Sequence, residues 1–190
     1  MPTAAPASQT RARILGATAG LVSEKGYAAV TIDAIARSAR ISKRTFYDQF
    51  ADKETCFLAA YEAAADHVYA AVLAEAAPRL PWRARLDAVI ATYLKAMAAQ
   101  PEMTRVFHVE IQAAGPRALD LHLGVNRRYA TLLRRIVREG GEARLGQAAA
   151  IAVLGAVHEL VVHAAADGTT RRLPAHAATV RPLLDAALAP

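Results

Sequence analysis

The sequence predicts an all-α protein of about nine helices, with a small N-terminal helix-turn-helix domain followed by a larger helical domain. Three observations predict it. Of 190 residues, 54% are hydrophobic, enough for a small domain beside a larger one. Much of that content is alanine with few β-branched runs, which favours helix over strand. Apolar positions recur at three- and four-residue spacing, bracketed by capping residues and by local Gly and Pro. The expected division is a disordered tail over 1–9, a helix-turn-helix domain over 10–56 and the larger helical domain over 57–190.

Residues 1–9 hold Pro, Ala and Ser without periodicity, hence the tail. In the first helix Ile14, Ala17, Thr18, Leu21 and Val22 make one face, and Gly26 is the expected C-terminal cap. Arg11 and Arg13 at its base read either as DNA-backbone contacts or as solvated charges. Thr31 then caps a second helix, whose first turn carries Asp33 and whose apolar face is Ile32, Ile35, Ala36 and Ala39. Ser42 caps a third, from Lys43 to about Gln49, with Phe46 and Phe50 on its inner face. Asp52 caps a long fourth helix running from Lys53 through Phe57, Tyr61, Val68 and Val72 to the prolines at 78 and 81. A fifth starts near Trp82 and ends at Gln100-Pro101. The sixth holds Met103, Val106, Phe107 and Ile111 and breaks at Gly115-Pro116. A seventh, rich in Arg outside, ends at Gly140-Gly141. The last two span about Gln147–Ala166 and Pro174–Leu188, with a kink or restart expected at Pro182.

The second and third helices carry the functional signal. Lys43 and Arg44 lie in the first turn of one helix and Lys53 in that of the next, where cations oppose the helix dipole by up to about 1 kcal/mol each. That arrangement calls for an external anion. With Thr45, Tyr47 and Gln49 adjoining, phosphate binders and base-edge readers share one face, as on a recognition helix in a DNA major groove. The plainer alternative is a solvated helical hairpin. Net charge is +6; residues 1–60 hold eight Lys/Arg against five Asp/Glu, so half the excess lies elsewhere and placement matters more than bulk charge.

The stretch from Lys25 to Glu62 resembles the N-terminal domain of the TetR family of bacterial transcriptional regulators. The resemblance rests on Gly26-Tyr27, Thr31, Ile41-Ser42, Thr45-Phe46-Tyr47, Phe50 and Lys53-Glu54, about the first third of the chain. It implies DNA contact by Thr31, Lys43, Arg44, Thr45, Tyr47 and Gln49, with Lys53 on a phosphate. One departure is Arg40, where the family usually has Gly in the turn. A left-handed backbone there would cost a non-Gly residue roughly 1 kcal/mol, either tolerated or offset by reaching a phosphate.

The resemblance also implies a mostly apolar ligand cavity; candidate lining residues are Trp82, Tyr93, Met97, Met103, Phe107, His108 and His122. Each also reads as ordinary core or, for the histidines, as surface. The eighth helix is apolar nearly all round and needs burial on every side, which a second subunit could supply. The resemblance implies the same: the last two helices pair into a four-helix dimer interface, with Val153, Val157, His158, Val161, Val180 and Leu184 as candidates. Two-fold symmetry would match a palindromic operator.

His158-Glu159-Leu160-Val161-Val162-His163 looks like a zinc-protease signature but fails it. The two histidines are five apart, about 140° around the helix, where that chemistry needs four. Neither a catalytic constellation nor a metal or cofactor site is expected. One cysteine, Cys56, excludes an intrachain disulfide and reads as a small core residue in a reducing cytoplasm. The N-terminus lacks a secretory pattern, and no uninterrupted apolar run reaches the roughly 18 residues that span a membrane. The expected function is a cytoplasmic homodimeric repressor, released from double-stranded DNA by a small apolar effector. The alternatives are a TetR-like activator or ligand-independent regulator and, further off, a helical domain that binds no DNA.

Overall fold

The computed structural model describes residues 7–141 and 144–188, and among them every regular element is helical. Nine α-helices follow in order: α1 (Ala7–Lys25), α2 (Ile32–Ser38), α3 (Lys43–Tyr47), α4 (Lys53–Glu75), α5 (Trp82–Ala99), α6 (Pro101–His108), α7 (Pro116–Gly140), α8 (Gln147–Ala166) and α9 (Ala177–Ala187). Short 3-10 turns cover Glu110–Ala114 and Thr170–His176. Helix α1 begins three residues inside the expected tail, whose first six residues lie outside the described ones. The third helix stops at Tyr47, two residues short of expectation. Pro174 falls in the 3-10 turn, and α9 carries Pro182 inside it without restarting.

The caps are those the sequence placed. Thr31 Oγ1 accepts the Ala34 N–H at 3.2 Å, Ser42 Oγ the Thr45 N–H at 3.0 Å and Asp52 Oδ1 the Thr55 N–H at 2.6 Å. Each satisfies an amide that the helix start leaves without a partner. Helix α2 ends with Ile41 N–H donating to the Ala36 carbonyl and Arg40 N–H to that of Arg37. This Schellman pattern puts its left-handed residue, Arg40 at φ 53°, where Gly is usual.

Two apolar cores result. The first joins Ile14 and Val22 of α1, Ile35 of α2, Phe46 and Phe50, and Cys56, Phe57 and Tyr61 of α4, and it extends to Val106, Phe107 and Ile111. The second packs α5, α7, α8 and α9 through residues such as Leu86, Leu94, Leu132, Ile136, Val161 and Leu184. Helix α4 serves both, giving Phe57 to the first and Val72 to the second, so the expected division at 56/57 falls within a continuous helix and a continuous core. Cys56 is a packing group: its Sγ lies 3.1 Å from the Thr18 hydroxyl, and burial pushes the thiol up to about 11.

Among the described residues one helix, α8, is long and apolar enough by length and composition to cross a membrane. The count of uninterrupted apolar residues missed it because Glu159 and the two histidines interrupt the run. Packing against α6, α7 and α9 accounts for its inner face. Its outer face carries Ile151, Ala152 and Gly155, and Glu159 with His163 Nε2 3.2 Å from its carboxylate.

Candidate functional site

The first candidate surface is the outer side of α3. Phe46 and Phe50 are buried, which turns Lys43, Arg44 and Tyr47 outward. Positions 43 and 44 are four and three residues from 47, so these side chains share a face. Tyr47 is 55% exposed, a large aromatic held in solvent by the edge of Phe46 at 5.7 Å. Thr31 is exposed at the start of α2, while Thr45 and Gln49 are half-buried. The Thr45 hydroxyl lies 2.9 Å from that of Ser42, so it works partly as a cap.

Two of the three helix-start cations are not free for an external anion. Lys43 Nζ pairs with Asp33 at 2.6 Å, and both are exposed. Lys53 turns back into the domain: Nζ donates to the Tyr27 carbonyl at 2.9 Å and sits 4.3 Å from the Tyr27 ring centre. Two of the three cations therefore have internal partners, and helix-start repulsion does not by itself require an external anion. Arg44 stays exposed. The arginines of α1 also have structural work: Arg13 donates to the carbonyls of Ala39 and Arg40, and the Arg11 guanidinium lies 4.4 Å from the Phe50 ring centre. They pin the turn and the far end of the helix-turn-helix.

The second candidate is a cavity of about 280 Å³ lined by α4, α5, α6, α7 and α8. Six of the seven expected residues line it: Tyr93, Met97, Met103, Phe107, His108 and His122. Trp82 does not. It starts α5 at another end of the bundle, against Gly140, with the Arg83 guanidinium 4.4 Å from its ring centre. Sequence reasoning missed Tyr61, Asn126, Tyr129 and His158.

Of the six proposed interface residues, five fill the chain's own core: Val153, Val157, Val161, Val180 and Leu184 are each at most 7% exposed. The sixth, His158, lines the cavity. Spacing of four along α8 marked a real stripe but not which way it faced. The rejection of the protease signature agrees with the geometry, since His158 turns inward while His163 pairs with Glu159 at the exposed face.

The cavity's polar groups form one cluster. Tyr61 Oη lies 3.0 Å from His122 Nδ1, and the Asn126 amide nitrogen 3.0 Å from His122 Nε2. Tyr93 Oη lies 3.2 Å from His108 Nε2, and His108 Nδ1 3.0 Å from the Thr104 carbonyl. The His158 ring centre is 4.7 Å from that of His122 and 5.5 Å from that of His108. Burial, with His158 close by, pushes His108 down to about 3 and His122 to about 4; burial also lowers His158. It raises the Tyr61 phenol to about 12. All are neutral at pH 7. Among the described residues no group of His, Cys, Asp or Glu could hold a metal ion.

The comparisons decide the family. A family model described as bacterial regulatory proteins, tetR family, matches residues 14–60, and one described as Tetracyclin repressor-like, C-terminal domain, matches residues 79–171. The chain belongs to the TetR family. No curated protein matches it by sequence. Solved structures do match the fold of this TetR-family chain. A fatty acid degradation regulator, FadR, from Bacillus halodurans has a TM-score of 0.83 at 20% identity, covering 96% of each chain. FadR from Bacillus subtilis in complex with stearoyl-CoA has a TM-score of 0.81 at 20% identity, covering 94% of this chain and 99% of that one. A TetR-family regulator from Rhodococcus sp. has 0.75 at 18%, covering 96% and 100%.

Proposed function

We propose that the protein is a cytoplasmic homodimeric repressor that leaves a palindromic operator when a small, largely apolar molecule fills its cavity. The observation that carries the reading is one chain with two sites: an outward face of Arg44, Tyr47 and Lys43 on a helix-turn-helix, and a largely apolar cavity among the helices that follow. The proposed division of labour keeps DNA contact in the N-terminal helices up to the start of α4 and gives ligand binding and dimerisation to the rest of α4 and the helices after it.

By chemistry, Arg44 reads a guanine edge, Tyr47 and Thr31 reach phosphates, and Thr45 and Gln49 contribute at the margin of the face. Lys53 acts by holding the Tyr27 carbonyl and so setting the angle at which α4 meets the helix-turn-helix. The relative that holds stearoyl-CoA supports an apolar, chain-like effector. The dimer surface passes to the exposed side of α8 and α9, where Ile151 is 50% and Leu183 44% exposed beside Ala152 and Gly155.

Coupling needs an element that touches both sites. Helix α6 lines the cavity with Met103, Thr104, Phe107 and His108. On its other side Arg105 donates to the Ser23 carbonyl at 2.7 Å and pairs with Glu110 at 3.0 Å; Glu110 accepts the Tyr27 N–H at 3.1 Å. A ligand that moves α6 therefore pulls on the end of α1 and the loop before α2. Selection from a randomised duplex pool tests the reading. Enrichment of a palindrome, with sedimentation showing two chains per duplex, is expected; a pool that stays random contradicts it.

A further inference from the structure

The cavity's polar chemistry is lopsided. Among the described residues that line it, none is Asp, Glu, Lys or Arg, while His67, His108, His122 and His158 all do. Besides His158, the titratable groups lining the cavity are Tyr61 and His67 from α4, Tyr93 from α5, His108 from α6, and His122 and Tyr129 from α7; of these, the His108 and His122 rings lie against His158. On its own helix, Glu159 favours the charged imidazole, but it is exposed and paired with His163. The cluster is a set of bases with no acid among them.

Hydrogen bonding fixes which of these bases can meet a ligand. A carbonyl only accepts, so His108 Nδ1 carries its proton and Nε2 accepts from Tyr93. An amide nitrogen only donates, so His122 Nε2 accepts from Asn126 and its Nδ1–H donates to Tyr61 Oη. That leaves the Tyr61 hydroxyl hydrogen without an acceptor among the described residues, on a side chain that lines the cavity. His158 has ring contacts but no hydrogen bond to another described residue, and it lines the cavity. A donor from Tyr61 and the His158 imidazole thus both neighbour His122 on the cavity wall.

We infer that the cavity takes an apolar acid, whose carboxyl group sits against His158 and the Tyr61 hydroxyl and enters with one proton from solution. The inference rests on reading the cavity as the effector site. The carboxylate is the counter-charge that the imidazoles lack, and the proton stays either on His158 or on the carboxyl oxygen. No covalent bond changes. A basic ligand finds no carboxylate to pair with and is refused. The cavity of about 280 Å³ corresponds to roughly nine waters at ~30 Å³ each, which suits an acid of about ten non-hydrogen atoms.

Octanoate, octan-1-ol, octylamine and octanoyl-CoA, titrated calorimetrically into the full chain at pH 6, 7 and 8, test it. Free octanoate is ionised over this range and the buried imidazoles are neutral at pH 7 and 8, so uptake of one proton weakens its apparent Kd about tenfold between those two values. Octan-1-ol shows no pH dependence and octylamine does not bind. Heats in phosphate against Tris count the proton in the unaltered protein. The H158Q variant loses tenfold or more for octanoate at pH 6 and keeps its affinity for octan-1-ol. A pH-independent octanoate Kd, or binding of octan-1-ol or octanoyl-CoA without octanoate, overturns the acid while the cavity stands as an effector site. If none of the four binds, both readings fall.

Discussion

Arg40 holds a backbone at φ 53° that L-residues avoid, in the turn that aims α3. The left-handed conformation costs roughly 1–2 kcal/mol, part of which Arg13 offsets by donating to the Arg40 carbonyl at 3.1 Å. Arg40→Gly removes the strain and adds some unfolded-state entropy, so we expect a net gain of about 0.5–1 kcal/mol, read as a higher thermal midpoint. Gly140 is the opposite case. A Cβ there would lie 2.3 Å from a Trp82 ring atom. Gly140→Ala should destabilise by about 1–3 kcal/mol in denaturant unfolding, as overpacking does. Arg40 was legible through the family resemblance, which puts Gly at that turn. Trp82 was not, because spacing gives the face of a helix but not the partner at its end. The His108–His122 pair was legible as polar points in an apolar stretch; His158, from a distant helix, was visible only once the bundle closed.

At the scale of the element, α6 and α8 did what their sequences left open. Helix α6 is eight residues long, yet it lines the cavity on one side and grips α1 and its following loop on the other. Cutting that grip with Arg105→Ala should leave effector affinity within a few-fold and reduce the effector-induced loss of duplex binding. Paired titrations with and without duplex measure this as a coupling factor. In α8, apolar residues on all sides announced burial on all sides but hid the split between faces. Val153, Val157 and Val161 face the chain's own core, while Ile151, Ala152 and Gly155 are exposed. Charges on the outer face, as in Ile151→Glu with Leu183→Glu, should convert the proposed dimer to a monomer by sedimentation while leaving the helical spectrum intact. Dimerisation unaffected by that pair would move the interface elsewhere.

For the molecule as a whole, the buried histidines make stability depend on pH. Their folded pKa values lie below the unfolded value near 6.5, at about 3 for His108 and about 4 for His122. The unfolded chain therefore binds more protons below pH 6.5. Stability is fully present above that value and is lost as pH falls through 6 toward 4. A denaturant midpoint that drops over this window, with a shallower drop in His122→Asn, is the expected result. Fold class, caps and the helix-turn-helix were readable because each is a local pattern. The cavity's chemistry and the facing of α8 depend on which helices meet, which one-dimensional periodicity does not encode.

The central claim is that the exposed face of α3 binds duplex DNA, and the salt dependence of binding tests it most directly. Each phosphate contact adds about 0.9 to the slope of log K against log salt. The unaltered chain should show a steep slope on its selected duplex. Arg44→Ala should weaken that duplex by ~1–3 kcal/mol and relax preference at one base pair. Affinity that is flat in salt and unchanged in Arg44→Ala would contradict the account.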